Sequence, residues 1–322
     1  MSQAKVQKNK STNVRLVEFF ARSCGLALNG LGTLGPDLAA RWAARLFLST
    51  RRNSQLKNDP MLKTARVFQI PQGKKNIQFY SWGHGPTVLL VHGWNGRGTQ
   101  LSQFVPPLLE QGYRVVTFDA MGHGASEGKQ SSIFDFADGI CLANKIVGPF
   151  YAIITHSMGG PAATLALKDG VGAERLVYIA PPSNPAGWLN FFAEILGLNQ
   201  NLRRRLNDHF DSTYGERWRI FQDRRLAQSM TLPLLVIHDR DDVQVKFTEG
   251  ENLAAAWPGA HFSATEGLGH NRILKSPEVV QRAVNFIHRP ELFKVETEKG
   301  EHHENHTVPL DKSLLQPVYA RI

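Results

Sequence analysis

Two cysteines are all that 322 residues contain. Cys24 and Cys141 stand far apart and in no metal-ligand spacing, which excludes a disulfide framework and points to a reducing compartment. Long apolar runs are missing too: none approaches the roughly 18 residues that a membrane-spanning helix needs. The first residues have no continuous apolar stretch followed by a cleavage site, which argues against a secretory signal. Acidic residues are scarce in one region only. Residues 1–65 hold Glu18, Asp37 and Asp59 against eleven Lys and Arg, leaving 26 basic and 25 acidic residues for the rest of the chain. The net charge of +9 therefore belongs to an N-terminal extension. The nearly neutral body has no basic stripe for a nucleic acid, and none is expected as a partner.

What is present reads as a globular protein, with 42% apolar and 20% charged residues. Within the basic helical extension, residues 1–65, Val14, Leu16, Val17, Phe19, Phe20 and Cys24 crowd one side of a first helix. The glycine-rich stretch 29–35 reads as a break. Pro36 suits the start of a second helix, whose Leu38, Trp42, Ala43 and Leu46 share a face beside Arg41 and Arg45. Residues 13–48 could lie on a membrane surface or pack on the body. The glycine break interrupts an interfacial face, so packing is favoured, and the expected location is cytoplasmic, with peripheral membrane contact as the alternative.

From residue 66 the pattern changes. Residues 66–70 and 76–80 read as an antiparallel hairpin around Pro71-Gln-Gly-Lys-Lys75, and residues 87–91 form a short apolar run of the kind buried on both faces. Further strands are expected at 113–118, before residue 157, and at 175–180, 233–237 and 260–265, with helices between them. That alternation predicts an α/β fold, a mostly parallel, doubly wound sheet covered on both faces. Its core comprises 66–182 and 231–288. Residues 183–230 show no strand and read as an inserted helical cap above the C-terminal strand ends. Residues 289–322 form a polar tail, whose His302, His303 and His306 suggest a solvated segment and no metal site.

The chemistry concentrates at Thr155-His-Ser-Met-Gly-Gly160, where an apolar run ends abruptly and a helix-compatible segment follows. Strand, sharp turn and helix form the setting of a nucleophile elbow. The turn would lift the Ser157 hydroxyl clear of the sheet and bring the Met158 N–H beneath a developing oxyanion. Gly159 supplies the small neighbour such a turn needs; Thr155 stands where glycine is usual. Downstream come a carboxylate-rich loop, His238-Asp-Arg-Asp-Asp242, and then Gly267-Leu-Gly-His270. The order Ser, Asp, His offers a nucleophile, an orienting acid and a base. Asp239, Asp241 and Asp242 all stand as acids, and His84, His92, His123 and His156 compete with His270 as base.

Taken together, His92-Gly93, Asp119-Ala-Met-Gly-His-Gly-Ala-Ser126, the Ser157 elbow, the acid loop and Gly269-His270 make residues 66–288 resemble the α/β-hydrolase superfamily, in its serine esterase and lipase branch. The resemblance implies an α/β-hydrolase fold with Ser157, Asp242 and His270 as catalytic triad. Asp241 is the fallback acid, and the oxyanion hole would be the backbone N–H groups of Trp94 and Met158. It implies no cofactor. The expected activity is hydrolysis of carboxylic esters or thioesters; acyl transfer, C–C hydrolysis, perhydrolysis and a silent binding scaffold are the alternatives. Trp188, Phe191, Phe192 and Ile195 are the candidate pocket residues, and an apolar pocket there favours a small-molecule ester with a short-to-medium acyl group.

Overall fold

The computed structural model describes residues 19–51, 59–184, 187–223 and 225–293. The extension's residues 13–18 and the three histidines of the tail lie outside the described residues. Eight strands, β1 (Arg66–Gln72), β2 (Lys75–Trp82), β3 (Thr87–Val91), β4 (Arg114–Asp119), β5 (Phe150–His156), β6 (Ala173–Ile179), β7 (Leu234–Asp239) and β8 (His261–Thr265), form one sheet in the order β1-β2-β4-β3-β5-β6-β7-β8. The hairpin β1–β2 joins β4 antiparallel, and every pairing from β4 onward is parallel.

The apolar run Thr87–Val91 is buried along its whole length, as a central parallel strand must be. Its alternation divides the core into two layers. Leu89 and Val91 belong to the layer with α4 (Ile133–Val147) and α5 (Gly159–Lys168), while Val88 and Leu90 belong to that with α3 (Val105–Glu110) and the C-terminal helix α9 (Pro277–His288). The chain leaves β3 for β4 on one side and later returns to β5 on the other. Such a reversal, at the C-terminal ends of β3 and β5, is where open α/β sheets bind ligands. Those two ends carry His92-Gly93 and Ser157.

Between β6 and β7 the expected insertion is helical: α6 (Gly187–Leu196), α7 (Gln200–Tyr214) and α8 (Glu216–Gln222). The N-terminal extension packs on it. Helix α1, described over residues 19–34, runs without interruption through most of the glycine-rich stretch in which the sequence suggests a break. The glycines serve close packing. A Cβ on Gly25 would lie 1.6 Å from the Leu196 carbonyl oxygen, and Asn29 hydrogen-bonds both the Gly197 carbonyl and the Asn199 N–H, each at 2.9 Å. Helix α2 (Pro36–Phe47) buries Ala39, Ala40, Ala43 and Ala44 against α7, with Phe47 wedged between Phe192 and Phe210 at 5.2 and 5.8 Å.

The expected buried face of α2 is therefore only partly right. Ala43 is inside, but Leu38, Trp42 and Leu46 are exposed. Alanine lets two helix backbones approach more closely than leucine or tryptophan would, so the small side of the helix docks and the large side faces out.

The two α1 glycines supply a test. Gly25→Ala forces its methyl into a backbone oxygen and should cost about 1–3 kcal/mol. Gly30 has open space around its Cβ position. Gly30→Ala should stabilise by about 0.5–1 kcal/mol through helix propensity. Thermal melts of the two variants should move in opposite directions.

Candidate active site

Ser157 terminates β5 with φ at 51°, a left-handed conformation that non-glycine residues seldom adopt and that typically costs about 1–3 kcal/mol. Two contacts explain why the turn holds. The Ser157 N–H donates to the Ile179 carbonyl (2.9 Å), and the Gly160 N–H closes the turn on the Ser157 carbonyl (3.0 Å). Gly159 lies against the end of β3, where a Cβ would stand 2.8 Å from the Val91 oxygen and 3.0 Å from that of His92. Thr155, in place of the usual glycine, sits fully buried within β5, in register with Val91 on one side and Tyr178 on the other. It leaves the turn intact.

The loop after β3 closes on the elbow from above. A Cβ on Gly93 would come within 3.0 Å of the Ser157 Cβ and 2.9 Å of the His156 Nδ1. The Gln100 side chain accepts from the Gly93 N–H at 3.1 Å. Asn95, with φ at 55°, donates its N–H to the His123 Nε2 (3.1 Å). Among the described residues, neither the Trp94 nor the Met158 N–H donates to a protein acceptor. Both donors stand next to the point where the two turns meet: Met158 follows Ser157, and Trp94 follows Gly93, whose Cβ position lies 3.0 Å from the Ser157 Cβ. The Asp119–Ser126 loop is a brace. Buried Asp119 accepts from the Gly98 N–H (2.6 Å), the Ala125 N–H (2.7 Å) and the Tyr80 hydroxyl (2.9 Å).

Of the three candidate acids, Asp242 is the one that meets His270: the imidazole Nδ1–H donates to its Oδ2 at 2.7 Å. The Asp242 Oδ1 accepts from the Gln244 and Val245 N–H groups at 2.8 and 2.9 Å, and His238 Nε2 approaches Oδ2 at 3.3 Å. Burial opposes the charge, yet the hydrogen bonds from His238 and His270 outweigh it and hold the carboxyl well below the usual carboxylate range. With Nδ1–H donating to the Asp242 carboxylate, Nε2 is the nitrogen of the neutral imidazole left to accept a proton. Asp241 is exposed and accepts from the Gly267 N–H (2.8 Å). Asp239 accepts from the N–H groups of Asp241, Leu268 and Gly269 and from the Thr265 hydroxyl, so it fixes the backbone on which His270 stands.

The competing histidines have other occupations. Buried His92 accepts from the Ala120 N–H at Nε2 and donates from Nδ1 to the Gly93 oxygen, and burial pushes its pKa down to about 4. His123 is braced likewise between Asn95 and Met121. His84 is exposed ahead of β3, at the opposite end of that strand from Gly93. His156 donates from Nε2 to the His270 carbonyl (2.9 Å), with the two rings 4.6 Å apart. Burial drives its pKa down to about 3, so it stays neutral against His270. The sequence reading missed the supporting parts played by His156, His238 and Asp239. A histidine directly before the elbow and one four residues before the acid were the available signals.

The profile of the alpha/beta hydrolase family matches residues 88–283, more than half of the chain and all of this site. The chain belongs to that family. Serine hydrolase-like protein of Danio rerio is 29% identical over 168 residues, 49% of each chain. Lysophosphatidylserine lipase ABHD12, also of Danio rerio, is 27% identical over 241 residues, 64% of this chain and 59% of its own. The chain thus spans about half to three-fifths of these curated relatives. Among solved structures, an esterase of Pyrococcus furiosus superposes with a TM-score of 0.53 at 20% identity, covering 74% of this chain and 98% of its own. Alpha/beta hydrolase domain-containing protein 10 from mouse does so at 0.54 and 15%, covering 71% and 98%. At such identities these likenesses speak for the fold alone.

Of the candidate pocket aromatics on α6, Phe192 is buried against Phe47, so it helps dock α2. Trp188, Phe191 and Ile195 share the other side of α6 and are half-buried.

Proposed function

We propose that this alpha/beta hydrolase cleaves carboxylic esters through an acyl-enzyme on Ser157. The observation that carries this reading is the Asp242–His270 hydrogen bond, with the His270 ring packed 4.6 Å from that of His156, the residue directly before a serine held at positive φ. In the proposed reaction Ser157 Oγ attacks the acyl carbonyl while His270 Nε2 takes its proton. The Trp94 and Met158 N–H groups receive the oxyanion of the tetrahedral intermediate. His270 then protonates the departing alcohol, and water attacks the acyl-enzyme by the same route in reverse. Asp242 keeps the imidazole in the correct tautomer and stabilises the imidazolium. Thioesters meet the same machinery, with a thiolate as leaving group. Acyl transfer and perhydrolysis would share the acyl-enzyme and differ only in the acceptor.

The core of residues 66–182 and 231–288 carries every one of these groups, and the insertion would supply the acyl side through Trp188, Phe191 and Ile195. A fluorophosphonate probe should label the wild-type protein once, and Ser157→Ala should lose both the label and p-nitrophenyl ester turnover. Labelling that survives Ser157→Ala would reject the nucleophile. A Ser157→Ala variant that keeps near wild-type turnover would reject the mechanism.

A further inference from the structure

Helices α1 and α2 press their inner sides against the same α6–α7 insertion and turn large apolar residues outward. On α1, Phe19, Phe20, Leu26 and Leu34 are exposed, Leu34 to 90%. On α2, Leu38, Trp42 and Leu46 recur every fourth residue and are exposed, Trp42 to 51%. Seven of the twelve large apolar side chains exposed among the described residues lie in these two helices, so this is a patch and not ordinary surface scatter.

The charge on the two helices is mainly basic, three arginines against one aspartate. Arg41 and Arg45 stand on the exposed side of α2, with the Arg45 guanidinium 5.4 Å from the Trp42 ring, while the exposed Arg22 of α1 turns its guanidinium toward Gly197. Asp37 is the one acid within residues 19–47, and it pairs with Arg205 at 3.4 Å. In sequence, the segment leading into Phe19 brings Lys5, Lys8, Lys10 and Arg15 against Glu18. Apolar stripes with a tryptophan, flanked by arginines whose stems can lie along the apolar surface, match the boundary between acyl chains and anionic headgroups. Among the described residues no helix is long and apolar enough to cross a membrane. The helices would lie in the surface.

We infer that the outward faces of α1 and α2 dock this protein onto bilayers carrying anionic lipid. The proposal reverses the expectation that these residues pack inward, and it stands apart from the hydrolase reading because it needs no turnover. The α6–α7 insertion would thereby be held near the bilayer, with α1 and α2 between it and the lipid.

The test is sedimentation of the full chain with vesicles of phosphatidylcholine and phosphatidylserine at about 70:30, with pure phosphatidylcholine as comparison. We expect binding to the mixed vesicles, weakened at least tenfold by raising salt from about 0.05 to 0.5 M. The triple variant Leu38→Ser/Trp42→Ser/Leu46→Ser, all at exposed positions, should keep its thermal melt and lose at least tenfold in binding. Arg41→Glu/Arg45→Glu should remove the preference for phosphatidylserine. Absence of wild-type binding, or equal binding by the triple variant, would overturn the proposal. So would a wild-type dimer in ultracentrifugation that the triple variant dissolves while vesicle binding stays unchanged, because the patch would then belong to a second copy of the chain.

Discussion

Asp242→Asn should lower kcat/KM on a p-nitrophenyl ester by about three to four orders of magnitude, while Asp241→Asn stays within a few-fold of wild type. The difference follows from which oxygen faces what. Asp242 Oδ1 accepts two backbone N–H groups, from Gln244 and Val245. An asparagine must keep its carbonyl oxygen there and so turns its amide NH₂ toward His270. Nδ1 then has to accept, the proton moves to Nε2, and the imidazole can no longer take a proton from Ser157. The imidazolium also loses its counter-charge. Asp241 touches neither ring. It is exposed and accepts the Gly267 N–H, a bond that an asparagine oxygen can still accept.

The same substitution carries a stability signature. The Asp242 carboxyl is held below its ordinary value in the folded protein, so its stabilising contribution is present above the unfolded pKa of about 3.9 and is lost as pH falls through the folded value. Asp242→Asn should therefore lower the melting temperature at pH 7 and narrow its gap to wild type as the solution is acidified below about pH 4. A larger loss of activity from Asp241→Asn would mean that the acid stands one position earlier.

The residues themselves marked the elbow, whereas Asp242 was singled out only through the family resemblance, for a physical reason. Ser157 announces itself through a strand that stops, a small residue two positions on, and a helix that begins at once. The acid loop has three carboxylates within four positions, and side-chain chemistry alone ranks none above the others. The Asp242 N–H closes a turn on the Asp239 carbonyl at 3.1 Å, and that turn decides which carboxylate faces inward. Asp239 ends β7 and is consumed by the backbone of the His270 loop. The extension misled in the opposite way. Periodicity identified a large apolar face on α2, but burial went to the alanines, because close helix packing on α7 rewards small residues. The glycines of α1 broke nothing for the same reason: Gly25 is the point of closest approach to Leu196.

Gly93→Ala should reduce kcat by about 10²–10³-fold while leaving KM close to wild type, at a stability cost of about 1–3 kcal/mol from the crowded methyl. The added methyl would stand 2.9 Å from the His156 Nδ1 and 3.0 Å from the Ser157 Cβ. Neither neighbour can give way cheaply. The His156 ring is buried and tied through Nε2 to the His270 carbonyl, and Ser157 is pinned by its N–H to Ile179 on the adjacent strand. The mobile partner is therefore the loop itself, which would move a few tenths of an ångström away from the elbow. Trp94 follows Gly93 directly, so its N–H leaves the position assigned to the oxyanion, while the Met158 N–H stays where it was. One donor of two displaced, in a site that relies on fixed dipoles, accounts for the expected loss. The acyl contacts proposed for the insertion are left as they were, so the effect belongs in kcat. Fluorophosphonate labelling should slow in proportion, since the probe's attack develops the same negative oxygen. A Gly93→Ala enzyme with wild-type kcat would show that the Trp94 N–H takes no part in catalysis.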